Sequence, residues 1–242
     1  IEIKSVKNIG NDYSVDVIIP TIGRKKYLLD FIHNLKDQTT TPKKIIVVEQ
    51  NPNLDSVSEL HEEFNHCEWP FQIKHIFTHQ TGACNARNLA LKEVESEWVF
   101  LADDDIIIES DFIEKSFEVI SKTATEVCTI NCLKEKERTF YKHIIQWPTF
   151  GSGCSIVKTT CLSNMYFNKN YEFGFGEDAD FGMQLRNKGY DVLYFPTPKI
   201  LHLKAPIGGF RTPHVFLWNK EEFQPKPSPT VMLYRLVYYT KE

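Results

Sequence analysis

The stretch Trp98-Val99-Phe100-Leu101-Ala102-Asp103-Asp104-Asp105 decides the fold, because five apolar residues run directly into three carboxylates. An apolar run of this length is typical of a strand buried on both faces of a sheet. In extended backbone, Asp103 and Asp105 point to one side and Asp104 to the other. Adjacent carboxylates repel unless donors or a cation neutralise them, and Mg²⁺ and Mn²⁺ bind such oxygens. The sequence predicts a cation site here; the alternative is a solvated acidic turn that caps the next helix.

Strand and helix patterns alternate around this stretch, with four of each in the first half of the chain. The predicted strands are at residues 13–19, 44–48, 71–77 and 97–102. The predicted helices are at residues 25–35, 54–64, 83–94 and 111–121, with Asp55 or Ser56 as the cap of the second. This order predicts an α/β fold with a Rossmann-like, mainly parallel central sheet and helices on both faces.

Polar residues follow three of the predicted strands, at residues 21–24, 49–51 and 103–105. In open parallel sheets, ligands bind beyond the carboxyl ends of the strands, so these clusters should share one edge. Residues 81–88 open the third helix, where backbone amides and Arg87 are suited to a phosphate or ribose. An ordinary capped helix with a surface arginine is the alternative for this segment.

The second half is less regular. Strands are predicted at residues 126–132, 154–157, 191–195 and 200–203, and a helix at 178–187 that Gly189 ends. Three prolines mark residues 224–229 as a linker, and 231–239 is predicted to be an amphipathic helix. Trp147 and Phe150 are interpreted either as an aromatic platform for a ring-shaped ligand or as core residues.

Two further features are candidates for chemistry. Glu177-Asp178-Ala179-Asp180 places three carboxylates at the start of a predicted helix, where helix capping is the alternative interpretation. His202 lies between apolar residues in a short strand, so it is either a structural histidine or a ligand that joins the aspartates in space.

Composition excludes several classes of protein. The 242 residues are 42% apolar and 25% charged, as in ordinary globular domains, and the net charge of −4 disfavours nucleic-acid partners. The six cysteines form no CxxC pair, which predicts buried thiols in a reducing compartment. The apolar runs are too short to cross a bilayer. We therefore expect a cytoplasmic protein. Basic and aromatic residues at 234–239 leave a peripheral contact with the inner face of a membrane as an alternative.

The order of five motifs resembles the GT-A glycosyltransferases of family 2. These motifs are at residues 17–21, 46–49, 82–88, 100–105 and 176–178, and the similarity runs from about Val15 to Leu203. The resemblance implies a GT-A fold with a smaller mixed acceptor-side region. It also implies one catalytic domain at residues 1–223, with a donor-binding half at 13–122, an acceptor and base half at 123–223, and a linker and tail at 224–242.

The resemblance also implies roles for individual residues. A nucleotide-diphosphate sugar, with a UDP-sugar favoured, would contact Pro20, Thr21, Arg24, Glu49, Gln50, Gly82, Arg87, Asn88, Asp103 and Asp104. Mn²⁺ or Mg²⁺ would bind Asp105, Asp103 of the DxD-type motif, and His202. Asp178 would be the catalytic base, assisted by Glu177.

The expected activity is transfer of one sugar to an acceptor hydroxyl, metal-dependent and inverting by direct displacement. The QxxRW-type motif of processive synthases is absent, which favours single additions over polymerisation. The acceptor is an unidentified glycan, lipid-linked or other hydroxyl compound, in keeping with bacterial cell-surface polysaccharide biosynthesis. Two alternatives are a sugar nucleotidyltransferase, although residues 21–24 lack its Gly-rich basic loop, and a non-catalytic carbohydrate-binding protein of the same fold.

Overall fold

The computed structural model describes residues 13–206 and 215–239, whose strands form one sheet with helices on both faces. The strands are β1 (Val15–Ile22), β2 (Lys44–Gln50), β3 (Gln72–Thr78), β4 (Trp98–Ala102), β5 (Ile106–Ile108), β6 (Val127–Leu133), β7 (Ile145–Gln146), β8 (Cys154–Lys158) and β9 (Leu193–His202). The helices are α1 (Lys25–Lys36), α2 (His61–His66), α3 (Ala83–Leu91), α4 (Phe112–Thr123), α5 (Glu177–Asn187) and α6 (Pro229–Tyr238). Parts of the predicted domain and tail, at 1–12, 207–214 and 240–242, lie outside this description.

The sheet has the order β3-β2-β1-β4-β8-β6-β9-β5, with β7 paired to β9. Strands β3, β2, β1 and β4 are parallel, while β8 runs antiparallel to both β4 and β6. Strands β6 and β9 are parallel to each other, and β5 is antiparallel to β9. The predicted mainly parallel sheet, with a smaller mixed region beyond β4, is confirmed.

Alternation along the strands creates two cores. In β1, Val17 and Ile19 face one core with α1 and α4, and Ile18 faces the other with α3 and α5. Helix α1 buries Leu28, Phe31, Ile32 and Leu35. Each such side chain stabilises the fold by about 1.5–3 kcal/mol relative to an exposed position. The carboxyl ends of β1, β2 and β4 lie at the same edge of this parallel half, so the polar residues that follow these strands are brought together there.

The predicted helix at 54–64 is wrong, since only His61–His66 is helical in that region. The side chains of Asn51 and Asn53 accept hydrogen bonds from the N–H groups two residues ahead, at 3.0 and 3.1 Å. Such local bonds offer the backbone an alternative to a helix. Ser58 also donates to Glu49 at 2.6 Å, which ties this segment to β2. Neither Asp55 nor Ser56 caps the short helix.

The two predicted strands at 191–195 and 200–203 are one strand, β9. Its pairing with β6 shifts between Ile130 and Asn131, from Phe195 to Lys199, so Pro196 to Pro198 are skipped. Prolines cannot donate to a ladder, which explains the irregularity without ending the strand. Strand β5 was not predicted. Its three isoleucines pair with β9, and the pairing sets Ile106 opposite His202.

The described cysteines are all free thiols, and Cys67 is exposed, unlike the buried state predicted for it. No helix within residues 13–206 and 215–239 is long and apolar enough to cross a membrane.

Candidate active site

Asp104 lies at the end of β4 and points back into the protein. It accepts hydrogen bonds from Thr21 Oγ1 at 2.7 Å and from Arg24 Nη1 at 2.6 Å. Its side chain is only 2% exposed, and this burial raises the pKa of Asp104 to about 6 against the opposing effects of Arg24 and Thr21. Asp104 thus joins the β4 edge to the loop after β1.

Asp103 and Asp105 point to the other side, as predicted, and meet His202 there. One ligand atom from each of the three residues lies within 4.8 Å of the others. Asp105 contacts His202 Nε2 at 3.3 Å and accepts the Ala205 N–H at 2.7 Å. Burial opposes ionisation of Asp105, yet these hydrogen bonds and Arg24 bring the pKa of Asp105 to about 2. Two carboxylates, one of them firmly ionised, and an imidazole fit a divalent cation such as Mn²⁺ or Mg²⁺.

Arg87 links the two acidic clusters. It projects from α3, is 6% exposed, and donates to Asp103 Oδ1 at 3.0 Å and to the Ser152 carbonyl at 3.2 Å. The N–H of the same Ser152 donates to Asp178 Oδ1 at 3.2 Å. The positive charge of Arg87 favours the ionised forms of Asp178 and Glu177. The structure therefore brings together the Asp103 and Asp178 regions.

The carboxyl groups of Glu177 and Asp178 both have pKa values above those of ordinary carboxyl groups. Burial, together with the charge of Asp178, raises the pKa of Glu177 to about 7. Burial also raises the pKa of Asp178 above its ordinary value, while Arg87 and the hydrogen bonds from Ser152 oppose this rise. A carboxylate with a raised pKa is a stronger base than an ordinary aspartate. Ser152, which orients Asp178, was not predicted; its place between two glycines in a loop was the available signal.

The amides at the start of α3 do not face open solvent. The N–H groups of Cys84 and Asn85 donate to the Glu172 carboxylate at 3.0 and 2.8 Å. A side chain of this protein thus occupies the position that the sequence suggested for a phosphate. Gln50 accepts the Gly82 N–H at 2.7 Å, which fixes the turn before the helix. Glu172 was missed because its partners lie 87 and 88 positions away in the sequence.

Three other predicted donor residues are engaged within the protein. Glu49 accepts bonds from Ser58 Oγ at 2.6 Å and the Glu59 N–H at 2.9 Å, and it pairs with His75 Nε2 at 2.8 Å. Both ends of the Asn88 amide bond the backbone of Phe167. Pro20 lies within β1, in register with Val48. In this structure these three residues therefore serve the fold, and their contact with a donor stays a prediction.

Of the two interpretations of Trp147 and Phe150, the structure supports the core interpretation for Phe150. Its ring is 1% exposed and packs on Phe181 at 5.0 Å between centroids. Trp147 stacks on Tyr194 at 4.8 Å with an interplanar angle of 27°. Phe150 is therefore a core residue, held where α5 crosses the sheet.

Replacing Gly82 with Ala is expected to displace Glu172 from α3. Gly82 has a φ of +133°, and an added Cβ would lie 2.2 Å from the Glu172 carboxyl carbon. Gly189→Ala is the matched control, because Gly189 has a φ of +90° with nothing within 4 Å of an added Cβ. We expect urea denaturation to give a loss for Gly82→Ala that exceeds the control by about 1.5–3 kcal/mol, the contribution of charged hydrogen bonds. Equal losses would contradict this role of Glu172.

The fold and the site define a protein of the GT-A glycosyltransferase class. Comparison with known protein families supports this class. Residues 16–191 match the family described as Glycosyl transferase family 2, which is well over half of the chain. The chain therefore belongs to glycosyl transferase family 2.

Individual relatives and solved structures have low sequence identity to this chain. Glycosyltransferase GlyA from Streptococcus pneumoniae is 28% identical over 136 residues, covering 55% of this chain and 19% of GlyA. The structure of S. aureus TarS 1–349 in complex with UDP-GlcNAc has a TM-score of 0.66 and 19% identity, over 84% of this chain and 62% of TarS 1–349. GalNAc-T7 with UDP, GalNAc and Mn²⁺ has a TM-score of 0.64 and 13% identity, over 79% and 44%. These structures show the shared fold, and the chain spans less than two thirds of each of these proteins.

Proposed function

We propose that the chain is the catalytic domain of a glycosyltransferase that moves one sugar from a nucleotide-diphosphate sugar to an acceptor hydroxyl. The observation that carries this proposal is the joining of Asp103, Asp105 and His202 to Asp178 through Arg87 at the carboxyl edge of the sheet. A UDP-sugar is the favoured donor, in keeping with the UDP-GlcNAc complex of TarS and the UDP complex of GalNAc-T7.

A divalent cation would be held by Asp105, Asp103 and His202. When bound, it supplies positive charge that offsets the charge of the diphosphate leaving group. Arg24 bridges Asp104 at 2.6 Å and Asp105 at 3.5 Å, so the loop after β1 keeps these carboxylates in place. Thr21 and Gln50 at the ends of β1 and β2, with Gly82 before α3, adjoin this cluster, and the nucleotide would lie against them.

Asp178 is the proposed general base. Its Oδ1 is oriented by the Ser152 N–H, and its raised pKa suits it to take the proton of an acceptor hydroxyl. Glu177, adjacent in the chain and with a pKa near 7, would orient the acceptor. Attack on the anomeric carbon from the side opposite the diphosphate would invert the configuration in a single displacement.

The acceptor is proposed to be a glycan or lipid-linked hydroxyl compound of bacterial cell-surface polysaccharide synthesis. Family membership favours this function over a sugar nucleotidyltransferase, and Arg24 lies on Asp104 rather than in a Gly-rich phosphate loop. The assembled carboxylates disfavour a non-catalytic sugar-binding protein.

Nucleotide binding provides the test of this function. With Mn²⁺ present, UDP at about a hundred times its Kd should raise Tm by about 5–10 °C, because binding to the folded state adds about 2.7 kcal/mol. Uridine, which lacks the diphosphate, is the control and should have little effect. A screen in which no nucleoside diphosphate or nucleotide sugar raises Tm above the uridine control would contradict the proposal.

A further inference from the structure

The turn that precedes Asp178 has an unfavourable backbone conformation. Residues 173–176 form an irregular turn in which Phe173 has a φ of +60° and Gly176 a φ of +121°. A left-handed backbone is unfavourable for phenylalanine, so such a conformation persists only where the surrounding structure holds it. No side chain caps the start of α5 at Gly176. Other parts of the molecule must therefore fix the position of Asp178.

One such part is Thr230, near the start of α6. Its side chain is 6% exposed, and its Oγ1 accepts the Phe175 N–H at 3.3 Å. Gly174 packs so closely against it that an added Cβ would lie 2.4 Å from Thr230 Cγ2. The turn before Asp178 is thus fitted to the surface of α6.

A second contact comes from Tyr238, in the last turn of α6, in addition to the bond from Ser152 to Asp178. Its hydroxyl donates to Asp180 Oδ1 at 2.8 Å, and Gln184 Nε2 donates to Asp180 Oδ2 at 2.7 Å. Asp180 is 3% exposed, so its carboxylate depends on these donors. Burial and the bond to Asp180 raise the pKa of Tyr238, which keeps its hydroxyl a donor. Asp180 lies two residues after Asp178 on the same helical turn.

We propose that α6 is a clamp on the catalytic base: Thr230 and Tyr238 are positioning residues that hold the 173–176 turn and the first turn of α5. The sequence-based division at residue 223 would assign α6 to a tail, whereas these contacts tie it to the catalytic edge. The assignment of Asp178 as base rests on the proposed function. The clamp itself rests only on the contacts of α6.

Hydrogen exchange measured by mass spectrometry tests the clamp without any substrate. In Tyr238→Phe and in Thr230→Val, amides of residues 172–182 should exchange about tenfold faster, while those of β1, β2 and β4 are unchanged. Tyr239→Phe is the matched control, because Tyr239 ends the same helix but is 63% exposed. Exchange at 172–182 that is the same in Tyr238→Phe as in Tyr239→Phe would overturn the proposal, whatever the activity.

Kinetics then separates positioning of the base from general destabilisation. Tyr238→Phe should lower kcat for transfer about tenfold and leave the donor KM within about twofold, since the Tyr238 hydroxyl bonds Asp180 on α5 and none of the predicted donor residues. A donor KM that rises in proportion to the fall in kcat would overturn the positioning role. Faster exchange in a protein without transferase activity would refute the proposed function and leave the clamp intact.

Discussion

Asp178→Asn is expected to lower the rate of sugar transfer by about 10²–10⁴-fold, the usual contribution of a positioned general base. The amide oxygen can still accept the Ser152 N–H, which bonds Oδ1 at 3.2 Å, so the local structure should survive. The Asp103, Asp105 and His202 cluster does not include Asp178, and donor affinity should therefore stay within about twofold. Calorimetric titration with the donor, beside the rate of transfer, measures both quantities.

Asp191→Asn is the matched control for this variant. Asp191 is exposed and accepts a hydrogen bond from Gln146 at 2.7 Å, so the same chemical change occurs outside the site. The wild-type rate should fall as pH drops through the raised pKa of Asp178, because the protonated acid cannot accept a proton. The Asn variant should lose that dependence. A loss of donor affinity as large as the loss of rate would contradict the assignment of Asp178 as base.

Removal of divalent cations is expected to weaken donor binding by at least about 100-fold, because the diphosphate would then face Asp103 and Asp105 without the positive charge of a cation between them. The overall charge of −4 adds no attraction for an anionic donor. The measurement is calorimetric titration with a UDP-sugar in Mg²⁺ or Mn²⁺ and again in EDTA. Restored affinity when the metal is returned is the control for irreversible damage.

Binding of the cation alone provides a second test of the same site. Mn²⁺ binding, followed by electron paramagnetic resonance, should be lost in Asp105→Asn and kept in Asp55→Asn, where the aspartate is exposed and does not belong to the cluster. Donor affinity unchanged by EDTA, or full Mn²⁺ binding by Asp105→Asn, would contradict a metal site at Asp103, Asp105 and His202.

Local pattern was sufficient for much of the fold. The run from Trp98 to Asp105 specified a buried strand that ends at a polar edge, and its two-residue alternation separated Asp104 from Asp103 and Asp105. Helix α1 followed from apolar residues at helical spacing. Pattern failed at residues 54–60, where asparagine side chains bond nearby backbone and Glu49 ties down Ser58.

The candidate site depended on long-range pairing that no local pattern encodes. His202 reaches Asp105 because β5 pairs antiparallel with β9, and neither β5 nor the continuity of β9 was evident from the sequence. The hydrogen bonds from the first amides of α3 to Glu172 likewise join residues that are far apart in the sequence. Arg87 was expected on a phosphate or ribose, and the structure shows it paired with Asp103 at 3.0 Å.

Whether the protein transfers a sugar or makes a nucleotide sugar is tested directly by ³¹P NMR with Mg²⁺ in two parallel mixtures. One contains a UDP-sugar with a panel of glycan and lipid-linked acceptors, and the other contains UTP with the corresponding sugar 1-phosphate. We predict that the phosphorus signals of the UDP-sugar convert to those of UDP in the first mixture and that the second is unchanged. Formation of pyrophosphate in the second mixture, with the UDP-sugar left intact in the first, would contradict the account.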